Sequence, residues 1–108
     1  MKTLKFRQAL SKMIINGSKT TTWRLFDDKD ISFGDMISLV VWETRKEFAR
    51  AKVIHVRELP IGDLTDDDWE GHEKFSSDKE MFETYTHYYG KEVNKNTFVK
   101  IIKFKLSQ

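Results

Sequence analysis

Two stretches rich in β-forming residues, Met36–Thr44 and Phe48–Glu58, stand three polar residues apart, and nothing else in the chain restricts its fold so strongly. Val, Ile, Phe and Trp suit a pleated, half-buried backbone. The intervening Arg45-Lys46-Glu47 reads as the turn of a hairpin, with Arg50, Lys52 and His55 on its outer face. Two further runs are extended. Lys19–Leu25 is rich in Thr around an embedded Trp. Thr97–Leu106 alternates, with Phe98, Ile102, Phe104 and Leu106 on one face and Val99, Ile101, Lys103 and Lys105 on the other. Phe33-Gly34-Asp35 is a turn.

Helical spacing takes over elsewhere. Leu10, Met13 and Ile14 share one face of a helix over residues 7–15, which Gly17 stops just after Asn16. Thr65 caps an acidic helix start, Asp66-Asp67-Asp68, whose charges meet the positive end of the helix dipole. Ser77-Asp78-Lys79-Glu80 is a capping box. It opens a helix with Met81, Phe82, Tyr85, Tyr88 and Tyr89 on a broad aromatic face, ended by Gly90. The order helix, strands, helices, strand predicts a small α+β fold: a mostly antiparallel sheet curled into a barrel, with flanking helices.

Residues 1–108 suit one domain, and 39% hydrophobic residues with eight Phe allow a real core. Cysteine is absent, which excludes disulfides and thiolate metal sites, and three scattered histidines do not make a zinc site. No metal and no cofactor is expected. The longest apolar run, Ile37–Trp42, is far short of the roughly 20 residues of a membrane span. No apolar segment follows the charged N-terminus, so a cytoplasmic location without membrane contact is the expectation. The net charge of +2 is unevenly spread. Residues 1–58 carry 12 Lys/Arg against 7 Asp/Glu, residues 59–96 carry 4 against 10, and residues 97–108 carry 3 against 0. A basic half beside an acidic segment suits a polar cleft with a positive wall, although mixed charge by itself is also an ordinary solvated surface.

Gly17-Ser18-Lys19-Thr20-Thr21-Thr22-Trp23-Arg24, followed by Gly34-Asp35, resembles the hallmark of the ASCH family, G-x-K-T-x-T-x-R with a GD turn about ten residues on. Leu64-Thr65, the Phe75-x-Ser77 element and Val99–Phe104 are similar too, so the resemblance covers nearly the whole chain. It implies a PUA-like barrel, and RNA or a modified nucleoside as ligand. Gly17, Thr20, Arg24, Trp23 and Trp69 are then the ligand-binding candidates. Lysine, arginine and hydroxyls crowded together make a receptor for phosphate or a polar base edge. Regular alternation would put Lys19 and Thr22 on opposite faces, so Lys19 must project from the loop set up by Gly17.

Some compact relatives of this type are amidohydrolases that remove the acetyl group from acetylated cytidine with a Lys, a Thr and a Glu. The resemblance carries these roles to Lys19 and Thr22, and to Glu73 or, with second claim, Glu70. Thr22 would attack the amide carbonyl, Lys19 would accept its proton, and the Glu would orient the lysine or protonate the leaving amine. Trp23 and Trp69 flank the site and are the stacking candidates. The tyrosines at helical spacing read as core and rim, and His72 as structural or a proton shuttle. A third possibility is an adaptor that binds a protein partner through an exposed apolar patch on the 81–89 helix.

Overall fold

The computed structural model describes residues 1–26 and 29–107. The chain runs through strand β1 (Lys2–Phe6), helix α1 (Gln8–Ile15), strands β2 (Thr21–Leu25), β3 (Met36–Val41) and β4 (Glu47–Pro60), a 3-10 turn (Ile61–Asp63), helices α2 (Asp66–Trp69) and α3 (Asp78–Tyr89), and strand β5 (Phe98–Leu106). The strands form one sheet in the order β1-β3-β4-β5-β2. It curls into a half-barrel with the helices beside it, an α+β fold.

The hairpin forms, with Met36 opposite Lys52 and Leu39 opposite Ala49. Its turn lies earlier than the sequence predicts: β3 ends at Val41, residues 42–44 belong to the turn, and Glu47 joins β4 opposite Val40. The hairpin register slips between Leu39 and Val40, and that of β4 on β5 slips between Val53 and His55. Such bulges bend the long β4 strand and bring the sheet round on itself. β2 and β4 both run antiparallel to β5. The parallel pair is β1 on β3, with Leu4 opposite Leu39.

β1 has no counterpart in the sequence reading, which begins the regular structure at α1. Five residues with Lys at both ends of Thr3-Leu4 present little apolar weight, yet Leu4 and Phe6 alternate into the core. A second difference lies in β5. Phe98 is exposed instead of sharing an inward face with Ile102 and Phe104. The cause is that the strand serves two cores. Its C-terminal half sends Ile102 and Phe104 into the barrel, among Leu4, Ile14, Leu39 and Val53. Its N-terminal half sends Val99 and Ile101 through the other face, against Trp23, Leu25, Met81 and Tyr85. Each such aliphatic side chain contributes about 1.5–3 kcal/mol when fully buried, so β5 is held from both sides.

The caps form with one change. Asp68 accepts hydrogen bonds from the backbone N–H and the hydroxyl of Thr65 (2.8 and 3.0 Å) and pairs with Arg57 (3.3 Å). Ser77 accepts from the Glu80 N–H (3.1 Å), whereas the Glu80 carboxylate takes the Ser76 hydroxyl. Gly90 closes α3 in the left-handed conformation (φ 66°).

Candidate functional site

Local bonding brings the acidic segment after α2 onto the start of β2. The Gly71 carbonyl accepts from both Thr20 N–H and Thr21 N–H (2.8 and 3.1 Å), and the Glu70 carbonyl accepts the Thr21 hydroxyl (2.7 Å). A side chain at position 71 would collide with the Thr20 hydroxyl, and the residue sits at φ 78°, so glycine is required there for two independent reasons. Two residues further on, Glu73 meets Lys19.

Lys19 leaves the loop before β2 and is buried, with 1% of its side chain exposed. Its ammonium donates to the Glu73 carboxylate and to the Thr21 carbonyl (2.8 Å). Burial lowers the Lys19 pKa, Glu73 opposes this, and Arg24 adds to the lowering. Burial pushes the Glu73 carboxyl up, but His72 and Lys19 outweigh it and hold it below the ordinary carboxylate range.

His72 is the third member of the cluster. It is buried and stacked on Trp23, with ring centroids 3.8 Å apart and planes 16° from parallel. Its Nδ1 lies 2.8 Å from the Glu73 carbonyl, which can only accept, so Nδ1 carries the proton and donates. Nε2 faces the Glu73 carboxylate at 3.4 Å. Burial, reinforced by Lys19, pulls the His72 pKa down to about 4, leaving the ring neutral at pH 7.

These groups form one end of a cavity of about 270 Å³. Thr22, Trp23, Arg24 and Tyr85 continue its wall, and Lys5, Arg7, Trp42 and Tyr88 form its rim. Arg24 spans the opening between the two edge strands: one guanidinium nitrogen donates to the Lys5 carbonyl (3.1 Å), and the group lies 4.7 Å from the centre of the Phe6 ring. The cavity combines apolar rings with a few convergent polar groups, as small-molecule sites do.

Of the residues singled out from sequence, the cavity wall contains Lys19, Thr22, Trp23, Arg24 and Glu73. Glu70 is exposed and outside it, with its backbone rather than its carboxylate engaged at β2. Gly17 and Thr20 are exposed and also lie off the wall; Gly17, at φ 87°, turns the chain after α1. Trp69 packs edge-on against Trp23 on the far side of the cluster and does not reach the cavity. Trp23 itself has one face covered by His72 and its indole N–H donates to the Asp68 carbonyl (3.2 Å), so it is a wall more than a free stacking plate. Lys5, Arg7 and Trp42 were not foreseen. They come with β1, whose Phe6 carbonyl accepts from Trp42 N–H (2.7 Å). The Leu4–Phe6 alternation was the available signal. Among the described residues no cluster of His, Cys, Asp or Glu could hold a metal ion, and no helix is long and apolar enough to cross a membrane.

A half-barrel with a polar cleft between its β2 edge and the segment joining α2 to α3 defines a class of small α+β domains. Within that class, the chain has the fold of the ASCH domain. The ASCH domain of Lactobacillus crispatus superposes with a TM-score of 0.66 at 14% identity, over 97% of this chain and 79% of that one. ASCH from Zymomonas mobilis gives 0.63 at 15% identity, over 95% of this chain and 65% of the other. A protein of Enterococcus faecalis gives 0.76 at 11%, over 99% and 76%. No protein-family model matches the sequence, and no curated protein matches it.

Proposed function

We propose that the cavity binds a nucleoside, free or within RNA, with its base between Trp23, Tyr85 and Tyr88 and its polar edge toward Lys19 and Glu73. The observation that carries this reading is the buried Lys19 ammonium paired with Glu73, set in an aromatic-walled cavity of about 270 Å³. Withdrawing such a charge from water is costly. A base edge offers both donors and acceptors, and a lysine–carboxylate pair answers both. Arg24, Lys5 and Arg7 at the opening suit a sugar-phosphate. Titration calorimetry with a panel of nucleosides and nucleotides tests it: binding that Glu73→Gln and Tyr88→Ala both weaken is expected, and no binding by any nucleoside overturns it.

A second reading, hydrolysis of an acylated cytidine, is favoured by the desolvated lysine beside Thr22 in the same wall. In this scheme the Thr22 hydroxyl oxygen bonds to the acyl carbon and its proton passes to Lys19. The exocyclic amine of the cytosine then leaves with the proton from Lys19. Water cleaves the acyl-threonine ester, releasing the carboxylic acid and restoring the Thr22 hydroxyl. Glu73 holds the lysine in place. Incubation with N-acylated cytidines, followed by chromatography, separates the two readings. Turnover abolished by Lys19→Arg supports hydrolysis, since arginine cannot give up its proton in this range. Binding without turnover supports the nucleoside pocket alone.

A further inference from the structure

The rim of the cavity continues outward into a cluster that a free nucleoside would leave unused. Trp42 begins the tip of the β3–β4 hairpin and remains 40% exposed. Three cations gather over it: the guanidinium of Arg45 at 4.3 Å, that of Arg7 at 5.3 Å and the ammonium of Lys5 at 5.4 Å from the ring centre. Arg7 also lies 5.9 Å from the ring of Tyr88, which is 52% exposed. The nearby Glu43 carboxylate is occupied at the start of α1, accepting from Gln8 N–H (3.0 Å). Trp42, Lys5, Arg7 and Tyr88 line the cavity, so the cluster is continuous with it.

The backbone adds a second observation. The hairpin tip closes with Arg45 N–H donating to the Val41 carbonyl (2.8 Å), which puts Arg45 at φ 61°. That left-handed position ordinarily takes Gly or Asn, because a longer side chain strains there. An arginine held there at conformational cost, with its planar fork laid over an exposed indole, is a flat cationic surface facing solvent. Successive bases stack on such aromatic and guanidinium planes while neighbouring cations hold the phosphate between them.

We infer that the Trp42–Arg45 tip is a second nucleotide subsite, which takes the base and phosphate next to the nucleoside in the cavity. The ligand is then a single-stranded oligonucleotide. This rests on the nucleoside reading of the cavity, and the test separates the two. Affinities are measured by calorimetry for a nucleoside, its monophosphate, an abasic dinucleotide and the intact dinucleotide, in RNA and DNA forms, on the native protein and on Arg45→Gly.

The expected result is that the dinucleotide binds about tenfold more tightly than the monophosphate or the abasic form, within the range of one base–aromatic stack. Arg45→Gly should remove most of that gain and leave nucleoside affinity unchanged, with no loss of melting temperature, since glycine suits φ 61°. Equal binding of nucleoside and dinucleotide overturns the subsite and leaves the cavity reading intact. A gain already complete in the monophosphate or abasic form, or undiminished in Arg45→Gly, also overturns it. Failure of every nucleoside and dinucleotide to bind removes the cavity reading and the subsite together. A preference for the RNA or DNA form identifies the strand.

Discussion

An ammonium group almost wholly withdrawn from water depends on the carboxylate that faces it. Glu73→Ala leaves Lys19 buried with the Thr21 carbonyl as its remaining described partner, and breaking a buried pair in this way costs about 3–5 kcal/mol. Urea denaturation at pH 7 should show that loss. The variant's Lys19 would release its proton more readily folded than unfolded, so the deficit should shrink as pH rises toward the free lysine value of about 10.4. His72 sets the acid side. Its folded pKa of about 4 lies below the 6.5 of a free imidazole, so the unfolded chain binds a proton in that window and the folded chain does not. Stability should therefore fall by about 3 kcal/mol between pH 6.5 and pH 4. His72→Gln, measured by the same denaturation series, should flatten that fall; an unchanged slope would clear the histidine of any part in it.

At the scale of elements, the site depends on one join, the backbone bonds from Thr20 and Thr21 to Gly71. Gly71→Ala forces a side chain into the Thr20 hydroxyl at a left-handed φ, and should cost at least the 1–3 kcal/mol of such strain. Thermal melts would read that loss, and nucleoside titration should show the cavity weakened with it. This join was invisible in the sequence because it is made by carbonyls and N–H groups, which carry no residue signature. What was legible is what side-chain type controls. The β3–β4 hairpin followed from β-branched density, α3 from its Ser77 cap and Gly90 stop, and the projection of Lys19 from the clash between strand alternation and the motif. β1 was missed because a short lysine-rich strand owes its place to β3, not to its own propensity. Trp42 was missed with it, since its partnership with Lys5 and Arg7 exists once those strands lie side by side.

Across the whole molecule, the basic N-terminal half and the acidic 59–96 segment meet at the cavity, so the +2 net charge understates the local field. Arg24→Ala should weaken nucleotide binding by about 1–3 kcal/mol, the usual range for a charge-assisted contact. In a calorimetric salt series, the slope of affinity against salt should be shallower for the variant than for the native protein. The position of β5 has a different consequence. Residues 98–106 lie between β4 and β2 and fill both cores, so a growing chain that has reached Asn96 can pair β1, β3 and β4 but leaves β2 without its neighbour. Thr22 and Arg24 sit on that waiting strand. β2 gains its neighbour only when residues 99–103 of β5 are available to pair with it. A product that stops short of them should keep the β3–β4 hairpin and lose the strand that carries Thr22 and Arg24 into the cavity wall.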